Sequence, residues 1–149
     1  MTQPRDSIYQ SLFALLLTLK AAGQIKTCDR RLRFLDDMAA TELPALFMSV
    51  DNQQTTQQRG LPPRRTLAAK VFLYAANPDR HTPAGVQLNG LLDAVEQALT
   101  PTTLAAGGDP VQTLGGAVSH AWIDGGIEVF EGPQGQRAAA ILTVQMLLP

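Results

Sequence analysis

The spacing of apolar residues predicts two amphipathic helices, the first of them near the start of the chain. Between residues 4 and 22, apolar side chains recur every three or four positions, which places them on one stripe of a helix. The positions of this stripe are Ile8, Leu12, Leu15, Leu16 and Leu19. Pro4 suits the first helical turn, and Gly23 is placed to end the helix in the left-handed conformation.

A second helix is predicted to begin after Thr82 and Pro83. The threonine side chain can cap the free backbone N–H groups, and proline fits the first helical position. The apolar stripe consists of Val86, Leu88, Leu91, Leu92, Val95 and Leu99. Pro101 cannot continue a helix, so we expect the helix to end close to residue 99.

Two extended segments in the middle of the chain predict a long β-hairpin. The apolar run 43–50 is short enough for a buried strand, and residues 64–76 form a second extended run. Residues 51–59 between them are almost entirely polar. We therefore predict a hairpin over residues 46–76. Its polar tip has little apolar surface to bury, so it is either an arm that gains order by packing on a neighbouring subunit or an ordinary mobile loop.

The remaining strand signals lie on either side of this hairpin. Residues 25–34 mix charged and apolar side chains without a helical period, and we predict a strand there. Residues 117–123 and 127–131 are predicted as two strands joined by a tight Asp-Gly-Gly turn at 124–126. Residues 138–147 form the last predicted strand.

The order of these elements is helix, strands, helix, strands. It predicts an α+β fold, in which a mostly antiparallel or mixed sheet carries two main helices packed on one face. The length of 149 residues fits one domain, so residues 1–149 are expected to form a single unit.

Composition limits the classes of function that fit. The formal net charge is −1 and the charged fraction is 17%, so the chain lacks the strong basic charge typical of proteins that hold nucleic acid. Cys28 is the only cysteine and cannot form an internal disulfide. The apolar run 12–17 is shorter than the roughly 20 residues of a membrane span. We expect a protein made in the cytoplasm, without membrane contact.

Residues that could carry catalysis or bind a metal are few and scattered. His81, His120 and Cys28 are distant in sequence, whereas a zinc or nucleophile–base site needs several such groups to converge. The glycine pairs match neither the dinucleotide-binding nor the phosphate-loop spacing. We therefore expect no enzyme activity, no cofactor and no metal site.

Two arginine clusters are the candidate interaction residues. Arg31 and Arg33 would share one face of the predicted strand 25–34, and a solvated strand face is the simpler interpretation of them. Arg59, Arg64 and Arg65 flank the polar tip, which also contains Gln57. The candidate residues for a subunit interface or a channel lining are Arg31, Arg33, Gln57, Arg59, Arg64 and Arg65.

At the level of overall pattern and element order, the chain resembles the phage tail terminator family, also called minor tail protein U. The segments that carry the resemblance are residues 5–12, 43–47, 88–96, 112–125 and 139–144. Together they extend over most of the chain, although none is a chemical motif. The resemblance implies a small α+β domain, in agreement with the pattern of helices and strands.

The resemblance also implies a function. Tail terminators assemble as hexameric rings on the last ring of the tail tube protein, stop tube growth and offer a surface to the head–tail connector. The expected partners are therefore copies of this chain, the tail tube protein and the connector. DNA would pass through the ring without sequence-specific binding. The protein would then reside in the tail of a phage or prophage virion.

Three alternatives remain at this point. The chain could be a head–tail connector or neck protein of the same fold group. It could instead be a small hydrolase using Cys28 or His120, which would require these groups to meet in one pocket. It could also be a small ligand-binding module, which would show a preformed apolar pocket.

Overall fold

The computed structural model describes residues 4–149. Helix α1 spans Arg5–Ala21 and buries Ile8, Leu12, Leu16 and Leu19, as the apolar spacing predicts. Pro4 occupies the N-cap position, and Gly23 has a φ of +82°, in the left-handed region that glycine adopts without steric cost. Within residues 4–149, neither helix has the combination of length and apolar character that a membrane span requires.

Helix α2 spans Ala84–Ala98, and its start differs from the prediction. Pro83 is the N-cap residue, and Thr82 does not cap the helix. The Thr82 hydroxyl donates instead to the carboxylate of Asp79 at 3.0 Å, and that carboxylate also accepts the backbone N–H groups of His81 and Thr82. The Thr82 hydroxyl therefore stabilises this local turn instead of capping the helix. Val86, predicted on the apolar stripe, is 58% exposed.

A five-stranded mixed sheet forms the centre of the molecule. Its strands are β1 (Thr27–Asp29), β2 (Ala45–Thr56), β3 (Arg64–Ala76), β6 (His120–Glu131) and β7 (Arg137–Leu147). The spatial order is β1-β2-β3-β7-β6. All neighbouring pairs are antiparallel except β1 with β2, which is parallel. The α+β prediction is therefore confirmed. Strands β4 (Thr103–Leu104) and β5 (Pro110–Val111) form a separate small hairpin.

The prediction of a strand over residues 25–34 is wrong for most of that range. Only Thr27–Asp29 pairs with the sheet. The carboxylate of Asp29 accepts the backbone N–H of Arg30 at 2.8 Å, a local bond that diverts the chain into a turn. Two single-turn 3-10 helices follow, at Leu35–Asp37 and Ala40–Glu42.

The predicted turn at residues 124–126 is also wrong. β6 is continuous through this region, and both of its halves pair with β7 in the same antiparallel direction. Asp124 lies opposite Thr143 and Glu128 lies opposite Ile141, so β6 contains a bulge between these two pairs. Glycine inside a strand often marks a bulge, and Gly125 has a φ of +73° here.

The main core lies between the two helices and one face of the sheet. Alternate residues of β2, β3 and β7 belong to the same buried cluster as the apolar residues of α1 and α2. The opposite face carries a second, smaller cluster under the segment that follows β1. Its buried members are Met38, Leu43, Ala45, Phe47 and Tyr74. Much of this second face therefore remains only partly covered.

Candidate subunit interface

The hairpin formed by β2 and β3 extends past the rest of the sheet. Thr66 is the last residue of β3 that pairs with β7, opposite Leu147. Beyond that point, residues 55–65 pair across the hairpin only, except that the Leu148 N–H donates to the Arg65 carbonyl at 3.0 Å. We call residues 55–65 the arm. Its residues are exposed apart from Arg65, which is half-buried.

The tip of the arm is an ordered turn. The Leu61 N–H donates to the Gln58 carbonyl at 3.0 Å, and the Gln57 side-chain amide donates to the Leu61 carbonyl at 3.1 Å. Gly60 has a φ of +81°, which glycine permits. The side chain of Leu61 is 56% exposed. Gln57 therefore holds the shape of the tip and leaves an apolar side chain exposed next to it.

The arginines of the arm present positive charge in several directions. Arg64 lies opposite Thr56 and Arg65 lies opposite Thr55, so consecutive side chains project from opposite faces of the hairpin. Arg59 at the tip is exposed. The Nε atom of Arg65 is buried and has no hydrogen-bond partner within residues 4–149. None of the three arginines forms an ion pair within that part of the chain.

A buried tyrosine anchors the base of the arm to α1. The hydroxyl of Tyr9 donates to the Ala68 carbonyl at 2.8 Å and accepts from the side-chain amide of Gln53 at 3.3 Å. Burial is the main cause that raises the pKa of Tyr9 above its ordinary value. The hydroxyl thus remains a donor, and it ties the first helix to both strands of the hairpin.

The first arginine cluster has a different role from the arm. Because residues 30–34 lie outside β1, Arg31 and Arg33 do not share a strand face. Arg33 makes two hydrogen bonds to the Glu42 carboxylate, at 2.6 and 3.2 Å, and its carbonyl accepts from the Tyr74 hydroxyl at 2.8 Å. The hydrogen bond with Arg33 lowers the pKa of Glu42. Arg33 therefore secures the segment that covers the second face, while Arg31 is exposed.

Sequence reasoning missed the acidic edge strand. β6 is the outermost strand on the side of β7, and within residues 4–149 no strand pairs with its other edge. It carries Asp124, Glu128 and Glu131 and contains no lysine or arginine. All three acids are exposed, and none forms an ion pair within the described residues. The absence of basic residues over 120–131 was the available signal, but the predicted turn divided the segment.

The residues considered for catalysis are far apart. Cys28 lies on β1 and His120 on β6, the two edge strands, with three strands between them. At a strand spacing of about 4.8 Å the distance across the sheet alone is roughly 19 Å, and the register displaces them further along the strands. Burial is the main cause that raises the pKa of the Cys28 thiol to about 11. This geometry removes Cys28 and His120 as a nucleophile–base pair.

His120 has a structural environment of its own. Its Nδ1 atom accepts the backbone N–H of Gln112 at 3.1 Å, and its ring stacks on Trp122 with centroids 5.3 Å apart. Within residues 4–149, no three side chains of His, Cys, Asp or Glu come together in a way that could hold a metal ion.

The arm also lines a groove on the surface. A groove of about 620 Å³ lies between the arm and the end of β7, and both polar and apolar side chains line it. The arm side of the groove includes Leu61 and Arg64, and the opposite side includes Ser119 and Leu147. The groove is therefore part of the same surface as the arm.

Comparison with known proteins found little. No protein-family model matches the chain, and no curated protein matches it. Among solved structures, it is similar to a chain of the virion of a native gene transfer agent particle, with 11% sequence identity and a TM-score of 0.47. The match covers 94% of this chain and 90% of that chain. The likeness is a weak one between backbones.

Proposed function

We propose that the protein is a structural, non-enzymatic subunit of a phage-type virion. In this proposal, copies of the chain join as a ring, six by the resemblance to tail terminators, and the ring closes the end of the tail tube. The observation that carries the proposal is the arm: an ordered, exposed hairpin end whose three arginines lack an ion-pair partner within residues 4–149.

The physical argument concerns what holds such an arm in one conformation. A two-stranded ribbon that stands alone in water is at best marginally stable. The arm buries almost nothing within its own chain, yet its tip and base are held by hydrogen bonds through Gln57 and Tyr9. A second surface that packs against such an arm would stabilise its conformation, because packing adds the buried area that the isolated arm lacks.

A ring subunit also accounts for the distribution of charge. A ring that closes the tube must let DNA pass, and an inner wall with strong positive charge would retain the phosphate backbone. The net charge of −1 is compatible with passage. In this proposal the arm faces neighbouring subunits, and the tail tube protein and the connector contact the two ends of the ring.

The first test is the solution mass by light scattering over a range of protein and salt concentrations. The expected result is a concentration-dependent step from the 16.0 kDa chain to a closed species of about six copies. The second test adds the protein to tubes assembled from the tail tube protein of the same genome. Electron microscopy should then show a ring at one end of each tube and no further growth from that end.

The outcomes separate the competing proposals. Rings that bind tube ends and stop elongation support a terminator. Rings that leave tube growth unchanged but bind the portal end of a filled head support a connector. A chain that stays monomeric at every concentration, and that neither binds tube ends nor changes tube length, contradicts the proposal.

A further inference from the structure

The sheet has two unpaired edges, and they lie on opposite sides of the molecule. On one side, the whole outer edge of β6 lacks a strand partner within residues 4–149. On the other side, β1 covers only residues 45–47 of β2, so residues 48–56 of β2 have no strand on their outer edge among the described residues. Unpaired edges of this kind present free N–H and C=O groups to another chain.

The arm and the β6 edge carry opposite charge. The arm contains Arg59 at its tip, Arg64 and Arg65 on β3, and no acidic residue. The unpaired part of β2 itself, residues 48–56, carries Asp51 and no basic residue. The β6 edge contains only acidic charges, of which Asp124 and Glu128 point to the partly covered face of the sheet, the face of Arg64. The nearest base on that face is Lys70, two strands away from Asp124. Thus neither group forms an ion pair among residues 4–149.

We propose that the arm of one copy docks along the β6 edge of the next copy, with its arginines against Asp124 and Glu128. This inference rests on the proposed ring and names the contact that builds it. Main-chain hydrogen bonds between the two edges would supply affinity, and the opposite charges would select the partner and its register.

The placement of the edges determines the kind of assembly. An arm that binds a different surface on its neighbour makes a head-to-tail contact, which generates a closed ring or an open filament. Because the two edges lie on opposite sides of the molecule, a symmetric dimer would instead use the same surface of both copies, so that one positively charged arm would face the other or one acidic β6 edge would face the other. The charges therefore disfavour the dimer and favour the ring.

The bulges in both edge strands suggest a competing explanation. β2 is irregular between Val50 and Gln53, and β6 between Asp124 and Glu128. Bulges and charged side chains on an edge are common devices that prevent pairing with other chains. If the bulges and charges act only in this way here, the charges on the arm and on the β6 edge are independent of each other. Reversing the charges of both will then not restore the assembly that is lost when one of them is reversed.

The test is therefore a charge swap with variants on exposed side chains only. The arm variant is Arg59→Glu with Arg64→Glu, and the edge variant is Asp124→Lys with Glu128→Lys. Arg65 and Glu131 are left unchanged, because Arg65 is half-buried and the Glu131 carboxylate lies against Gly85 of α2. Matched controls reverse exposed charges elsewhere: Lys26→Glu with Arg80→Glu, and Asp93→Lys with Glu96→Lys.

Each variant alone should raise the protein concentration needed for assembly by about tenfold or more, because like charges meet at every contact. An equimolar mixture of the two variants should assemble again, since each reversed arm then meets a reversed edge in alternating copies. The four-residue combination in one chain should assemble as well. The two control variants should assemble like the unmodified chain. Added salt should weaken assembly of the unmodified chain, because it screens exposed charges.

A second measurement covers the case in which the free chain assembles only on a tube. In a Cys28→Ala background, Thr55→Cys is placed on the arm and Val129→Cys on the β6 edge, both at exposed positions that share one face of the sheet. With an oxidant and tail tubes present, the double-cysteine chain should form a covalent ladder that stops at a closed ring. A mixture of the two single-cysteine chains should form only dimers that contain one of each.

The outcomes distinguish this contact from the ring itself. If the chain forms rings but neither variant weakens them, or the mixture fails to recover, the arm–edge contact is wrong and the ring proposal stands. If the single Thr55→Cys chain cross-links to itself as fast as to the Val129→Cys chain, the head-to-tail geometry is wrong. Loss of assembly in each variant with recovery in the mixture supports the contact, because misfolding would not be repaired by mixing.

Discussion

The inner and outer halves of the β2–β3 hairpin are continuous in the chain and opposite in environment. In the inner half, residues 45–48 are buried and pair with residues 71–74 of β3, between the helices on one face and the 3-10 segment on the other. In the outer half, the residues of the arm are exposed apart from the half-buried Arg65. One ladder of backbone hydrogen bonds is therefore buried against the core at one end and exposed to solvent at the other.

The largest effect on folding should follow a truncation in the inner half. Leu73→Ala removes a fully buried side chain from the main core, and we expect it to lower the free energy of unfolding by about 2–5 kcal/mol. The matched change in the outer half, Thr55→Ala at an exposed position, should stay within about 0.5 kcal/mol. Urea unfolding followed by circular dichroism measures both. Equal effects would mean that the arm packs on its own chain.

Shortening the arm should produce the largest effect on assembly with little effect on folding. Replacing residues 57–63 by Asn-Gly retains the pairing of Thr56 with Arg64 and supplies the residues that a two-residue hairpin turn needs. We expect the unfolding midpoint to remain within the range of ordinary surface changes and light scattering to show loss of the oligomer. An arm-shortened chain that still forms rings would assign assembly to another surface.

A smaller effect is expected where the two halves meet. Tyr9→Phe removes the hydroxyl that donates to the Ala68 carbonyl and accepts from Gln53, and the loss should cost about 1 kcal/mol of stability. Amide hydrogen exchange should also become faster at the base of the arm than in the inner half. Gln10→Ala, on the exposed side of the same helix, is the control. A uniform change in exchange over the whole sheet would contradict an anchoring role for Tyr9.

The smallest expected effect concerns the segment that covers the second face. The pKa of Glu42 is lowered by its hydrogen bond with Arg33, so this contribution to stability is present above the ordinary value of 4.5 and is lost as the pH falls below it. Glu42→Gln should therefore lower the melting temperature slightly at neutral pH and have less effect in acid. Asp36→Asn, at an exposed position in the same segment, should show no such difference. A difference in melting temperature between Glu42→Gln and the parent chain that grows as the pH falls would contradict this prediction.

The candidate interface was only partly predictable from the chain. The polar tip and its arginines were found because a run of nine residues without apolar content is visible in any sequence. The strand position predicted for Arg33 was wrong, because its bidentate contact with Glu42 depends on a turn that Asp29 starts and on two 3-10 helices. The acidic edge was missed, because Asp-Gly-Gly between two apolar segments has the composition of a hairpin turn.

The sequence by itself determined the elements whose signals are long and periodic. The spacing of Ile8, Leu12, Leu16 and Leu19 places four apolar side chains on one helical stripe, and only a helix buries them together. The alternation along 138–147 likewise predicts a strand, and β7 alternates between buried and half-buried residues throughout. In these segments local geometry and the burial of apolar surface favour the same conformation, so no distant residue is needed to choose it.

The tertiary structure alone decided what lies at the edges. Whether residues 124–126 turn back or bulge depends on β7, which pairs with both halves of β6 and holds them in one direction. Whether residues 25–34 extend depends on β2, which accepts only three residues of β1 as partners. Strand pairing is a property of two segments together, because each backbone N–H and C=O group needs its partner on the other chain segment. Which edges remain unpaired, and which charges lie on them, therefore follows from the assembled sheet.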